Sequence, residues 1–148
     1  MIKNKKSLGQ NFLIDKNIAN KIINQTNIEN KQVIEIGPGL GFLTDQIIKK
    51  KPNKLILIEK DNEITAILKN KYKEIKNIEI YNEDAVKFDY KKFKKSILIS
   101  NLPYNVSTEI IFNLLKFKNN FSELIIMIQK EVADKMNYRS KTKNNKYK

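Results

Sequence analysis

Three short runs, Val33-Ile34-Glu35-Ile36, Leu55-Ile56-Leu57-Ile58 and Ile97-Leu98-Ile99, are apolar almost without interruption. A strand that shows one face to water alternates polar and apolar residues, and these runs do not. They predict strands buried on both faces, which is the pattern of a parallel sheet covered by helices on each side. The intervening segments fit that arrangement. Asp15 is placed to cap a helix with Ile18, Ile22 and Ile23 on one face. A second helix carries Leu43, Ile47 and Ile48, with Pro52 just past its end, and a third starts at Asp61 with Ile64, Ile67 and Leu68. Ile78-Glu79-Ile80-Tyr81 alternates as a further strand. Thr108 or Ser107 caps a helix bearing Ile110, Ile111, Leu114 and Leu115. Leu124 to Ile128 reads as the last strand, and Lys130 to Met136 as a helix.

The chain has 148 residues, enough for one domain with a real core. It lacks cysteine and histidine, which excludes disulfides, thiol chemistry, zinc sites built on those ligands and any imidazole triad. Chemistry must therefore run on amides, carboxylates, hydroxyls, lysines or a bound cofactor. The net charge is +13, and Arg139 is the only arginine. A lysine excess favours a polyanionic partner such as nucleic acid through counterion release. The plainer reading is compositional, since lysine, asparagine and isoleucine are all abundant. No apolar run approaches the ~20 residues needed to cross a membrane. The basic start Met-Ile-Lys-Asn-Lys-Lys is not followed by an apolar signal core, so a cytoplasmic chain is expected.

In open α/β sheets, ligands bind beyond the carboxyl ends of the strands. Those ends carry Gly37-Pro38-Gly39-Leu40-Gly41, Glu59, Asp84 and Asn101. The glycines clear side chains from a backbone that passes close to a ligand. Glu59 follows Gly37 at about the 20-residue offset where an acid accepts from ribose hydroxyls. Singly, each has a bland alternative: a tight turn for the glycines, a solvated carboxylate for Glu59, a turn cap for Asp84. In order on successive strands they point to a nucleoside-containing ligand. The spacing is Gly-x-Gly-x-Gly, and acidic Glu35 precedes it, which would repel a pyrophosphate but attract an ammonium. S-adenosyl-L-methionine, with an adenosine, an α-ammonium and no phosphate, fits that requirement. Asp84 is placed to accept from its adenine amino group.

Asn101-Leu102-Pro103-Tyr104 closes the fourth strand beside this expected methyl donor. An exocyclic adenine amine is a poor nucleophile because its lone pair is delocalised into the ring. Acceptors on its N–H groups, here the Asn101 side-chain oxygen and the Leu102 carbonyl, draw the nitrogen toward tetrahedral geometry. Pro103 fixes the turn, and Tyr104 offers a flat face for the target base. Read as an isolated tetrapeptide, the stretch is an Asn-Pro turn with a rim tyrosine.

Four segments, Gly9-Gln10-Asn11-Phe12-Leu13, Glu35-Ile36-Gly37-Pro38-Gly39, Asn101-Leu102-Pro103-Tyr104-Asn105 and Gln129-Lys130-Glu131-Val132-Ala133, occur in order along nearly the whole chain. In this the sequence resembles the bacterial small-subunit rRNA adenine N6,N6-dimethyltransferases. The resemblance implies a Rossmann-like class I S-adenosylmethionine-dependent methyltransferase fold, with a methyltransferase domain over residues 1–136 that begins in a basic arm, residues 1–10. It further implies that Asn11, Leu13, Gly37, Glu59, Asp84 and Asn101 contact S-adenosyl-L-methionine. The implied substrate is a pair of adjacent adenosines in small-subunit rRNA of the immature ribosomal subunit, methylated by a monomer. Family members are longer, completing the sheet with a hairpin and adding a helical domain. The expectation is therefore a sheet lacking its final strands and a polar tail, residues 137–148, that is a truncated loop. The rival readings are an rRNA-binding assembly factor without turnover and an adenine methyltransferase acting on another nucleic acid.

Overall fold

The computed structural model describes residues 15–145, with side chains described through Asn137. Five strands form one sheet: β1 (Gln32–Ile36), β2 (Lys54–Ile58), β3 (Ile78–Tyr81), β4 (Ser96–Asn101) and β5 (Phe121–Met127). All pairings are parallel, and the order is β3-β2-β1-β4-β5. The helices are α1 (Lys16–Ile23), α2 (Phe42–Lys49), α3 (Asn62–Lys71), α4 (Ser107–Lys116) and α5 (Lys130–Asn145). The expected α/β architecture is therefore present.

Period-two alternation along the strands divides the core into two layers. Val33, Leu55, Leu57, Ile97 and Ile99 pack with α1, α2 and α3 residues such as Ile23, Ile47 and Leu68. Ile34, Ile36, Ile56, Ile58 and Leu98 face the other way, onto Ile110 and Leu114 of α4 and an aromatic group of Phe88, Tyr90 and Phe93. That aromatic group comes from the β3–β4 connection, and Phe88 and Tyr90 meet edge to face with centroids 4.8 Å apart.

Local details depart from the sequence reading in instructive ways. Asp15 caps α1 as expected, its Oδ1 accepting from Asn17 N at 2.8 Å. Ile18 and Ile67, however, are exposed, and Ala19 and Thr65 take the buried positions beside them. Thr65 can be buried because its hydroxyl donates to the Asp61 carbonyl one turn back, at 2.7 Å. At α4 the cap position falls on Val106 and no side chain caps it. Ser107 is buried instead, donating to the Tyr104 carbonyl at 3.2 Å. Beyond Met136 the sequence predicts a polar tail, but α5 continues to Asn145. No glycine or proline follows Lys130 to stop a helix, so its periodicity can lapse without the backbone leaving the helical form.

Candidate functional site

The sheet order reverses between β1 and β4, with crossovers leaving to opposite sides, and the two strands pair only at Val33–Ile97 and Ile34–Leu98. A crevice opens at the carboxyl ends, the place where such sheets bind ligands. The Ser100 hydroxyl donates to the Ile36 carbonyl at 2.6 Å, so the backbone at the floor of the crevice is satisfied.

One wall grows from β1 and β2. Gly37 N donates to the Ile58 carbonyl at 2.9 Å, and Glu59 N to the Tyr81 carbonyl at 2.9 Å, aligning three strand ends. Gly37 has φ +64°, a region where side chains are strained, and the Pro103 ring lies 3.5 Å from where its Cβ would stand. At Gly41, φ is +90° and a Cβ would collide with the Tyr72 hydroxyl. Glu59 is buried, and its Oε1 accepts from Asp61 N at 2.9 Å. Burial pushes its carboxyl above the ordinary range, while backbone N–H groups of Asp61 and Gly39 pull it back. Asp61 in turn caps α3, accepting from Ile64 N at 3.0 Å.

The loop after β3 supplies the facing side. Asn82 Nδ2 donates to the Glu59 carbonyl at 3.1 Å. Asp84 Oδ1 accepts from Val86 N at 3.0 Å, and its Oδ2 is 3.4 Å from Lys60 Nζ. From α4, buried Asn113 donates to the carbonyls of Ala85 and Phe88 at 2.9 and 3.0 Å, pinning this loop from beneath. The result is a cleft that opens to solvent. Ile36, Ile58, Ala85, Val86, Val106 and Ile110 form its apolar lining, among Gly37, Gly39, Glu59, Asp61, Glu83, Asp84, Asn101 and Pro103.

Of the residues expected at the site, Gly37, Glu59, Asp84, Asn101 and Pro103 thus share one cleft. Leu102 does not line it: its side chain is buried in the α4-side core, and its N donates to the Met127 carbonyl at 3.1 Å. Tyr104 is 43% exposed and lies outside the lining. Asn11 and Leu13 fall outside the described residues.

Glu35 corrects the sequence reading. Alternation puts it on the Val33 face, away from the cleft, where its Oε2 accepts from Thr44 Oγ1 at 2.6 Å. Complete burial pushes its carboxyl up to about 8. Nearby, the Tyr72 hydroxyl donates to Asp45 Oδ1 at 2.6 Å, and burial beside that carboxylate drives the phenol far above its usual range. This network braces the glycine turn from behind. The acidity inside the cleft comes from the expected Glu59 and Asp84 together with Asp61 and Glu83, neither of the latter two expected there: Asp61 reads in sequence as a helix cap, and Glu83 as one polar residue in a loop. Asn113 had no signal beyond a polar residue on an apolar helix face.

The cleft chemistry suits a cationic nucleoside. Four carboxylates and one lysine line it, so a pyrophosphate would meet net negative charge while hydroxyls, an amine or an ammonium would find acceptors. Among the described residues no group of metal-binding side chains occurs, and no helix is long and apolar enough to cross a membrane.

Fold and crevice together define a Rossmann-like methyltransferase fold. The 23S rRNA methyltransferase ErmE superposes with a TM-score of 0.74 at 23% identity, over 83% of this chain and 50% of that one. A dimethyladenosine transferase from Plasmodium falciparum gives 0.72 at 32% identity, over 85% of this chain and 46% of that one. The family model described as ribosomal RNA adenine dimethylase matches residues 1–146, and the chain belongs to that family. It is 47% identical over 140 residues to the ribosomal RNA small subunit methyltransferase A of Pelagibacter ubique, covering 91% of this chain and 53% of that protein. Against the protein of that name from a Hydrogenobaculum species it is 42% identical over 145 residues, covering 97% and 56%. The chain spans about half the length of the curated relatives it matches.

Proposed function

We propose that the chain transfers methyl groups from S-adenosyl-L-methionine to the N6 amines of two adjacent adenosines in small-subunit rRNA, as a cytoplasmic step of ribosome biogenesis. The observation that carries this reading is the convergence of Gly37, Glu59, Asp84, Asn101 and Pro103 on one cleft at the switch point of the sheet. When bound, S-adenosyl-L-methionine supplies a methyl group on a positively charged sulfur. Glu59 accepts from ribose hydroxyls and Asp84 from the adenine amine, and the apolar lining excludes water from the base. The glycine turn lets the backbone approach without side chains.

Across the cleft, the Asn101 side-chain oxygen accepts an N–H of the target amine. That acceptor also stabilises the positive charge that grows on the nitrogen as the new bond forms. The Leu102 carbonyl is the second acceptor, and Tyr104 at the rim is the platform for the delivered base. Asn101 does not serve as a base here: catalysis rests on positioning and on oriented dipoles, and the proton of the methylated amine leaves to solvent at the open mouth of the cleft. Asn11 and Leu13 complete the cofactor contacts in this reading.

The test is transfer of labelled methyl groups to small ribosomal subunits that lack the adenine methylation, with cofactor binding followed by calorimetry. Two methyl groups on each of two neighbouring adenosines is the expected product. Cofactor binding without transfer would leave an rRNA-binding factor, and transfer to DNA in preference to rRNA would overturn the substrate assignment.

A further inference from the structure

The two ends of the sheet carry opposite charge. At the carboxyl ends, the cleft lining holds four carboxylates and one lysine. At the amino ends, every strand begins with a lysine or is preceded by one within three residues: Lys31, Lys54, Lys76, Lys94 with Lys95, and Lys118. The register aligns these starts along one edge, Gln32 beside Lys54, Leu55 beside Ile78 and Ser96 beside Phe121. With neighbouring strands ~4.8 Å apart, the row spans ~19 Å.

The end of α2 extends it. Asn30 N donates to the Lys51 carbonyl at 3.0 Å and Asn53 N to the Lys31 carbonyl at 2.8 Å, which sets Lys49, Lys50 and Lys51 beside the start of β1. There a depression is lined by these three lysines with Asn24, Thr26 and Asn27. Acids are few at this edge. Glu29 lines the same depression, Glu123 accepts from Thr26 at 2.9 Å, Glu74 lies in the turn before β3, Asp89 accepts from Lys91 N at 2.9 Å beside the start of β5, and Glu79 is engaged by Lys54 at 2.7 Å. Among the described residues, Lys31, Lys50, Lys94 and Lys118 have no carboxylate within ion-pairing distance.

Helix dipoles account for part of this, since Lys49 and Lys116 sit in the last turns of α2 and α4. They do not account for Lys31, Lys94 and Lys95, which precede strands. Compositional drift does not explain the asymmetry either, because it would place lysines at both ends alike.

We propose that the amino-terminal edge of the sheet is a second RNA-docking surface that holds sugar–phosphate backbone at the end opposite the methyl-transfer cleft. Lysines neutralise phosphates, and the Asn24, Thr26 and Asn27 side chains suit the sugar hydroxyls of the same backbone. A five-residue strand separates the two ends by ~17 Å, so the segment held at the edge is distinct from the one that delivers the base. A folded RNA presents both at once. The proposal rests on the RNA partner of the proposed function but not on turnover.

The test compares two four-lysine variants of equal charge by binding to a duplex RNA hairpin across a salt series. One replaces Lys31, Lys50, Lys94 and Lys118 by glutamine, and the other Lys16, Lys69, Lys130 and Lys135. Calorimetry with S-adenosyl-L-methionine checks that each variant retains a formed cleft. The edge variant is expected to bind about tenfold or more weakly, with a log–log salt slope shallower by about 3, at ~0.7–0.9 for each lost phosphate contact. The control variant should keep the wild-type slope. Equal losses in both variants, or a loss in neither, would overturn the edge as a docking surface. Absence of RNA binding by the wild type would also sink the RNA partner, and the proposed function with it.

Discussion

Of the two walls of the cleft, the one at the ends of β1 and β2 is knitted together by hydrogen bonds around buried Glu59 and Asp61, whereas the one beyond β4 is the more exposed. Gly37 to Ile58, Glu59 to Tyr81, Asp61 to Glu59 and Asn82 to Glu59 form a continuous mesh with short donor–acceptor distances. Past Asn101, the chain turns through Pro103 and the exposed Tyr104, and the α4 helix starts without a side-chain cap. The difference is what the proposed two-substrate reaction asks for. The donor side is bound the same way at each turnover and gains from being preformed. The acceptor side must admit a large nucleic acid and release it.

Substitutions on the two walls should therefore separate binding from turnover, and the largest effect is expected at Asn101. Asn101→Ala removes an acceptor whose value rises as charge builds on the amine. Turnover should fall by about 10²–10³-fold, the usual effect of deleting one transition-state partner. Cofactor affinity measured by calorimetry should change far less. Full activity in Asn101→Ala would sink the mechanism and erase the distinction between the walls.

Glu59→Gln tests the other wall. The amide keeps the shape and can still accept from Asp61 N, but it loses the charge that strengthens bonds from hydroxyls. Hydrogen bonds to a charged partner are worth about 1.5–3 kcal/mol, so cofactor affinity should drop roughly 10–100-fold. With the cofactor at saturation, the turnover number should recover. A loss of turnover that saturation does not restore would mean that the walls are not separable.

Tyr104 bears on the open wall alone. Tyr104→Ala should raise the KM for RNA by the loss of one stacking contact, about 1–3 kcal/mol, while Tyr104→Phe retains it. Cofactor binding should be the same in both. A weakened cofactor in Tyr104→Ala would show that the rim ring closes over the donor.

The walls also differ in how far the sequence displayed them. The β1 and β2 wall was legible because its parts are local: an apolar run, a glycine turn at once after it, an acid at the next strand end. Fully buried parallel strands announce themselves, and their ends follow. What stayed hidden depends on partners remote in the chain. Asn113 holds the Asp84 loop from 28 positions away, and no local pattern marks it. Tyr90, Phe88 and Phe93 fill the second core layer from a connection that has no periodicity to read. The α5 boundary was missed for a different reason, since a helix can outlast its amphipathic pattern when nothing breaks it.

Glu35 shows the same limit at a single residue, and supplies the smallest expected effect on the reaction. Next to the glycine turn it looked like part of the cleft, yet period two along β1 sends it to the α2 side, where it meets Thr44. Burial raises its carboxyl from 4.5 to about 8, with Asp45 and Glu59 adding to the shift and the Thr44 bond and Lys71 opposing it. Between those values the folded chain holds a proton that the unfolded chain has lost. Stability from this group is therefore highest at low pH and falls as pH rises through that window, by at most about 1.4 kcal/mol per pH unit. Above about pH 8 both states are ionised and the decline levels off. Glu35→Gln keeps an oxygen for Thr44 and removes the titration, so denaturant midpoints should lose that slope and the variant should exceed wild type at alkaline pH. Its cofactor affinity should match wild type, unlike that of Glu59→Gln. If Glu35→Gln instead weakened the cofactor as much as Glu59→Gln does, the brace behind the turn and the wall in front of it would have to be treated as one unit.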